Sequence, residues 1–146
     1  MGTIGRIVSV NISDKRGIRK KPVESVELRV GHGIVSDAHA GPDPVRQVSM
    51  LTIESHAKMI AKGADVKPGD FAENITTEGI DVASLPVGTR LRSGDIEFEV
   101  TQIGKECHRH CEIYRTVGDC VMPREGIFVR TIKGGVLKPG DEIEVI

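Results

Sequence analysis

The sequence is poor in aromatic residues, with no tryptophan, one tyrosine and three phenylalanines among 146 residues. A hydrophobic core must therefore be built mainly from valine, isoleucine and leucine. No apolar run approaches the roughly 18 residues of a membrane-spanning helix, and none at the N-terminus suits a signal peptide. We therefore expect a cytoplasmic protein with no membrane segment.

The charge balance and the number of cysteines argue against two further classes of protein. A formal net charge of −1 argues against a nucleic-acid partner bound by overall electrostatic attraction. Three cysteines cannot all pair within one chain, which argues against a secreted disulfide framework. We expect reduced thiols and no nucleic-acid partner.

Short alternating segments and frequent turn residues predict a mainly β protein. The 17 glycines and 7 prolines indicate many tight turns. Residues 4–12 predict a strand with Val8, Val10 and Ile12 on one face and Ser9 and Asn11 on the other. Further strands are predicted within residues 26–30, 96–100, 126–132 and 142–146, with a hairpin turn within 91–96. Six or so short strands, one clear helix and no βαβ alternation predict one β-barrel-like domain over residues 1–146.

One helix and a repeated turn interrupt this pattern. The helix is predicted to begin after Thr52 as N-cap, with Glu54 in its first turn and Gly63 just past its end. The letters Lys-Pro-Gly-Asp occur at residues 67–70 and again at 138–141. Proline followed by glycine at the central positions predicts a type II turn in both places.

All three cysteines and two of the five histidines lie within residues 107–120. Thiol and imidazole suit soft-metal ligation or sulfur chemistry at neutral pH. The neighbouring cations Lys105 and Arg109 favour the thiolate and raise its reactivity. The segment therefore predicts a functional thiol, Cys107 or Cys111, rather than buried inert cysteines.

Two alternatives use the same segment differently. Cys107, Cys111, Cys120 and one histidine supply enough donors for a zinc site, although the spacing is unlike the two separated knuckles of most structural zinc sites. Cys107 and Cys111 could also form a redox-sensing dithiol. A small zinc-binding or structural module without a cofactor is thus the alternative to a working thiol.

Three groups of polar residues outside the cysteine segment could also carry chemistry. Asp37 and His39 lie two apart on a glycine-rich stretch, which suits anion or metal binding. Arg46 supplies a guanidinium able to bind phosphate. Glu73 and Asn74 place a carboxylate beside an amide, a pair that can bind the polar edge of a ring.

A short basic run, containing Arg16, Arg19, Lys20 and Lys21, has two interpretations. Such runs usually form a solvated loop, and this one could also bind a single phosphate. It is too short and too poor in aromatic residues to predict nucleic-acid binding.

Taken together, these motifs resemble the MOSC domain family, whose module also occurs at the C-terminus of eukaryotic molybdenum cofactor sulfurases. The resemblance rests on motifs in family order: GIVSDAHAGP from Gly33, Arg46-Gln47-Val48, Pro68 to Thr76, Leu85 to Gly88, the cysteine segment, Arg130 to Gly135 and Lys138 to Asp141. The most specific of them is Gly-Asp-Phe-x-Glu-Asn-Ile at residues 69–75.

The resemblance implies a mainly β, β-barrel-like MOSC fold with a few short peripheral helices. Such a domain binds the molybdenum cofactor (molybdopterin) in a groove between loops. It makes Cys107 the residue that accepts sulfur or ligates molybdenum, with Cys111 as the close rival. The residues that it implies for cofactor binding are Asp37, His39, Arg46, Glu73 and Asn74, with Lys21 and Arg130 as phosphate contacts.

The function implied is a cofactor-binding, sulfur-carrier domain in molybdenum cofactor metabolism. The domain could be sulfurtransferase-like, or could be one part of a molybdenum cofactor sulfurase system. Larger family members carry a pyridoxal-phosphate desulfurase or an oxidoreductase module. We expect the corresponding cysteine desulfurase or molybdenum enzyme to be a separate protein here.

Overall fold

The structure is a computed structural model that describes residues 3–15, 18–104 and 121–146. Its strands are β1 (Ile4–Ile12), β2 (Lys21–Val23), β3 (Val26–Arg29), β4 (Gly33–Ile34), β5 (Val48–Thr52), β6 (Ile75–Glu78), β7 (Arg90–Ser93), β8 (Ile96–Ile103), β9 (Ile127–Lys133), β10 (Gly135–Leu137) and β11 (Glu142–Val145). Its helices are α1 (Ile53–Ala61) and α2 (Met122–Glu125), with a 3₁₀ turn at Val82–Ser84. The mainly β class is confirmed. The prediction of six or so strands was too low. β2, β4 and β10 have only two or three residues, and the burial of β5 and β6 does not alternate.

Seven strands close into a barrel. Their order is β11-β7-β8-β9-β5-β6-β1, and pairing of β1 with β11 completes the ring. β2 extends the sheet beyond β1, and a smaller sheet has the order β10-β3-β4. β5 and β6 are parallel, so the chain between them must cross over, and α1 with the following loop makes that connection. The predicted β-barrel-like fold is confirmed.

The barrel interior is filled by aliphatic residues and Phe98, among them Ile7, Val10, Val48 and Met50. The prediction for β1 was partly wrong. Ile7 and Val10 are fully buried in this core, whereas Val8 is only half-buried. The pairing register shifts between Ile7 and Ser9, and such a bulge moves the alternation by one residue.

A second, smaller core lies on the outer side of the sheet, where α1 packs. It contains Leu51, Met59, Phe71 and Val121, with Ala64 and Val66. The predicted helix is confirmed: Thr52 Oγ1 accepts a hydrogen bond from Ser55 N at 3.0 Å, and Gly63 follows the helix with a φ of 97°. No helix in the described ranges is long and apolar enough to cross a membrane.

Candidate functional site

A row of polar groups crosses the outer face of β5, β6 and β1. Val48, Met50 and Val10 point into the barrel core, so strand alternation places Ser49 and Asn11 on the outside. Asn74 joins them: its Oδ1 accepts from Ser49 N at 3.1 Å, and its Nδ2 donates to Asn11 O at 3.2 Å. On its other side, Ser49 pairs with Phe128 of β9 in the sheet register.

Asn74 is completely buried and acts in this row as a connector. Its backbone N donates to Ser49 Oγ at 3.1 Å, and its backbone O accepts from Asn11 N at 2.7 Å. Both polar atoms of its side chain are bonded as well. In this arrangement Asn74 holds β5 and β1 on either side of the entry to β6. Its assignment to cofactor binding stays a prediction.

Glu73 places a carboxylate beneath α1, also without solvent exposure. Its Oε1 accepts from Gly69 N at 3.1 Å and Phe71 N at 3.2 Å. Its Oε2 accepts from Thr76 Oγ1 at 2.9 Å and lies 2.5 Å from Nε2 of His56. Four partners on the loop, β6 and α1 converge on one carboxylate, which satisfies its acceptor capacity. Its predicted role toward a cofactor is untested.

Asp37 is the second buried carboxylate. Its Oδ1 accepts from Lys20 Nζ at 2.8 Å and from Ser13 N at 3.1 Å. Burial alone would raise the pKa of Asp37, but the hydrogen bond and charge of Lys20 outweigh it, with help from the backbone N–H groups of Ser13 and His39. The pKa of Asp37 is therefore held below its ordinary value. Asp37 thus carries its negative charge at neutral pH inside the protein.

His39 sits on the loop that Asp37 organises. Its backbone N donates to Asp37 Oδ2 at 3.0 Å, and its Nδ1 lies 3.8 Å from the same oxygen. Ala38 N donates to Ser13 O at 2.9 Å, which attaches the loop to the end of β1. The His39 side chain is 14% exposed, so it lies near the surface while Asp37 lies beneath it.

Arg46 lies on the surface at the end of β8. Its Nε is 3.4 Å from Gln102 Oε1, and its guanidinium carbon lies 5.8 Å from the centroid of the Phe128 ring. The preceding residue is bonded to the same strand, since Thr101 Oγ1 donates to Val45 O at 2.5 Å. The structure therefore places Arg46 where β8 ends and the cysteine-bearing segment begins.

The other two predicted phosphate contacts are placed differently. Arg130 donates from Nε to Glu99 Oε1 at 2.8 Å, and Arg90 donates to Glu99 Oε2 at 3.2 Å. Two guanidinium groups thus flank one carboxylate on the outer surface of β7, β8 and β9. Lys21 is exposed at the start of β2, opposite Ile12. The phosphate roles of Lys21 and Arg130 stay predictions.

The cysteine predictions fall on residues that the structure does not describe. Cys107, Cys111 and Cys120 lie outside the described ranges, as do His108 and His110. The catalytic and metal assignments, and the zinc alternative, therefore remain predictions. Within the described residues, no group of three or more His, Cys, Asp or Glu side chains is arranged to hold a metal.

A groove of about 440 Å³ lies elsewhere on the barrel. It is lined by Ser93, Gly94, Asp95, Ile96, Gly135, Val136, Asp141 and Glu142. Ile96 begins β8 and Ile103 ends it, so this groove and the Arg46 region lie at opposite ends of a strand about 25 Å long. The groove is separate from the residues that the sequence selected.

Two contributors to the buried network were missed by the sequence reasoning. Lys20 belonged to a run interpreted as a solvated loop, yet its side chain has no solvent exposure. His56 is 1% exposed and stacks edge-on against Phe71, with ring centroids 4.8 Å apart. A signal for His56 existed, since it lies three residues after Ile53 on a predicted helix. Lys20 had no such signal, because only tertiary contacts bury it.

The fold is a seven-stranded β-barrel with a buried Glu-Asn element on its outer face. A comparison with protein families identifies this class of domain. The family profile described as "MOSC domain" matches residues 36–144. The chain belongs to the MOSC domain family. That family is generally linked to the molybdenum cofactor.

Solved structures agree on the fold. The YuaD protein from Bacillus subtilis matches with a TM-score of 0.81 at 21% identity, over 97% of this chain and 95% of that one. YiiM from Geobacillus stearothermophilus matches with a TM-score of 0.71 at 19% identity, over 97% and 75%. YiiM from Escherichia coli matches with a TM-score of 0.71 at 16% identity, over 99% and 70%. At these identities the likeness concerns the fold alone. A comparison with curated proteins found no match.

Proposed function

We propose that this chain is a molybdopterin-binding, sulfur-carrier domain of molybdenum cofactor metabolism, in which Cys107 accepts sulfur or ligates molybdenum. The observation that carries the proposal is the position of Arg46 beside Gln102, at the end of β8. Cys107 follows Gly104 by three residues, so the covalent chain keeps their Cα atoms within about 11 Å of each other. Arg46 therefore lies near the point at which the chain leaves β8 toward Cys107 in the sequence.

The exposed cations that the resemblance implies have the chemistry that a phosphate-bearing cofactor needs. Arg46 is exposed, and a guanidinium offers paired donors that match phosphate oxygens. Lys21 adds an exposed ammonium near the end of β1. The Arg130 side chain is 40% exposed while it pairs with Glu99. When bound, the cofactor would supply the molybdenum that receives sulfur or a thiolate ligand.

The buried residues of the family motif would support such a site from below. Glu73 and Asn74 hold the entry to β6 against β5, β1 and α1. Asp37 holds the loop that carries His39. Their contribution is the position of the backbone, because their described hydrogen-bonding groups already have partners inside the protein.

The sulfur step needs no oxidant beyond a persulfide donor. The Cys107 thiolate attacks the outer sulfur of a persulfide on the desulfurase, which forms a new sulfur–sulfur bond on Cys107. The sulfur–sulfur bond of the donor breaks, and the desulfurase cysteine leaves as a thiolate. The expected partner is a separate pyridoxal-phosphate cysteine desulfurase or molybdenum enzyme, and this domain itself is expected in the cytoplasm.

Mass spectrometry after incubation with a desulfurase and free cysteine tests the proposal. We expect a mass increase of one sulfur atom that maps to Cys107. Cys107→Ser should abolish it, and Cys120→Ser, the matched control, should leave it intact. The proposal fails if Cys107→Ser and Cys111→Ser each retain both persulfide loading and molybdopterin binding.

Elemental analysis of the purified protein separates the proposal from the zinc alternative. Tightly held stoichiometric zinc would favour the structural module. Molybdenum that is retained only when the host makes the cofactor would favour the sulfur carrier.

A further inference from the structure

We propose that Lys20 is a positioning residue: it fixes Asp37, and Asp37 in turn fixes the loop that carries His39. Its importance for a cofactor pocket rests on the proposed function, but the positioning itself can be tested without cofactor. Nothing in the sequence distinguishes Lys20 from the basic residues beside it, and the inference comes from the tertiary contacts alone.

The ammonium of Lys20 is enclosed by two partners. Its Nζ donates to Asp37 Oδ1 at 2.8 Å and to Ser13 Oγ at 2.9 Å, and the side chains of Lys20 and Asp37 have no solvent exposure. A buried charge pair is costly to desolvate, and removal of one partner leaves the other uncompensated. A lysine in this position therefore decides whether Asp37 can stay ionised inside the protein.

Asp37 passes this constraint to the loop. Its second oxygen, Oδ2, accepts from His39 N at 3.0 Å, while Oδ1 also accepts from Ser13 N at 3.1 Å. Ser13 O accepts from Ala38 N at 2.9 Å. The loop is thus attached at two successive amides, and one of these bonds ends directly on the carboxylate that Lys20 holds.

Lys20 also connects this loop to the Glu73 network. Its backbone N donates to Gly69 O at 2.8 Å, and Gly69 N donates to Glu73 Oε1 at 3.1 Å. A continuous series of hydrogen bonds therefore runs from Glu73 through Gly69 and Lys20 to Asp37 and His39. Lys20 thus links two buried carboxylates of the family motifs, Asp37 directly and Glu73 through Gly69.

Amide hydrogen exchange by NMR on the full chain, without cofactor, tests the positioning role. In Lys20→Met we expect the His39 amide to exchange about tenfold faster or more relative to the Asn11 amide, as loss of a charge-assisted hydrogen bond predicts. The Asn11 amide, bonded to Asn74 O, reports any general loss of stability and serves as the internal reference. Arg19→Met, which removes a neighbouring cation paired with Asp70 at 3.2 Å, should leave the His39-to-Asn11 ratio unchanged.

A double variant separates action through Asp37 from a direct effect. If Lys20 acts through Asp37, then Lys20→Met adds nothing to the His39 exchange rate in an Asp37→Asn background. This double variant removes both charges, so it also provides a folded state to measure if Lys20→Met alone fails to fold. An unchanged His39-to-Asn11 ratio in either variant overturns the proposal.

The outcome is independent of the sulfur experiment. Faster His39 exchange without sulfur loading on Cys107 would reject the proposed function and keep the positioning role. Sulfur loading on Cys107 with an unchanged exchange rate of the His39 amide would support the proposed function and reject the positioning role.

Discussion

The Lys-Pro-Gly-Asp turns at residues 67–70 and 138–141 have the same local structure. The aspartate N donates to the lysine O at 3.0 Å in the first turn and 3.2 Å in the second. The aspartate Oδ2 accepts from the lysine N at 3.1 and 3.0 Å. The glycine φ is 92° in one turn and 95° in the other. The predicted turn chemistry is confirmed in both places.

Their surroundings differ. Gly69 is buried, and a Cβ atom there would clash with the backbone carbonyl of Lys20. Gly140 is exposed, and a Cβ atom would have nothing within 4 Å. Gly69 N donates to the buried carboxylate of Glu73, whereas Gly140 N donates to the backbone O of Ile7. The first turn is part of the buried network, and the second is a surface connection beside β1.

The comparison shows that the tetrapeptide Lys-Pro-Gly-Asp determines the conformation of the turn. It does not determine whether the turn is buried or exposed in the fold. The local hydrogen bonds need only proline, glycine and aspartate in that order. Whether the glycine is required for close packing depends on Lys20, which lies far away in the sequence. The glycine is therefore required for close packing in the first turn, at Gly69, but not in the second, at Gly140.

The largest difference in stability between the two turns is expected when each glycine is replaced by alanine. Both variants strain an alanine at positive φ, at a cost of about 1 kcal/mol. Gly69→Ala must also displace the Lys20 backbone, so its free energy of unfolding should fall by about 3 kcal/mol or more. Urea denaturation measures both values. Equal losses for Gly69→Ala and Gly140→Ala would contradict the assigned difference.

Acid is expected to lower the stability that the Asp37–Lys20 pair contributes next to the first turn. Because the folded pKa of Asp37 is lowered, its contribution to stability is complete above the unfolded pKa of about 3.9. This contribution is lost as the pH falls through the folded pKa, at a limiting slope of about 1.4 kcal/mol per pH unit. The difference in free energy of unfolding between wild type and Asp37→Asn should therefore be constant near neutral pH and shrink below about pH 4. A difference that stays constant in acid would contradict the stabilising role of the Asp37 charge.

The smallest difference in stability is expected when the aspartate of each turn is replaced. Asp70 is buried and pairs with Arg19 at 3.2 Å, whereas Asp141 is half-buried. Asn can still accept the lysine N–H in both turns, so only the charge is removed. Asp70→Asn should cost about 1 kcal/mol and Asp141→Asn about 0.5 kcal/mol or less, measured by thermal unfolding. A larger loss for Asp141→Asn would reverse the order of the two turns.

The elements that local patterns could predict had a clear alternation of polar and apolar residues or a helix cap. β1 was predicted with the observed bounds, and α1 was located by its N-cap Thr52 and by Gly63. β4 has two residues and β2 has three, and a segment of that length has no measurable period. The bulge in β1 was also invisible, because the register shift depends on the pairing with β6.

The candidate site was predicted by residue type and family order, not by exposure. Asp37, Glu73 and Asn74 were selected for polar chemistry, and all three proved to be buried and internally bonded. Arg46, selected for its guanidinium, lies on the surface beside Gln102. Residue type shows which chemistry is available, whereas burial decides whether a group faces a ligand or its own backbone.

By itself, the sequence determined the mainly β class, the capped helix, the two turns and the family, because each depends on short-range spacing or on motifs in order. Only the tertiary structure decided that Lys20 is a buried partner of Asp37, that Gly69 must be glycine and that Glu73 is bonded to groups inside the protein. Those properties arise from contacts between segments distant in sequence. A local pattern cannot encode which of two identical turns will meet a lysine carbonyl.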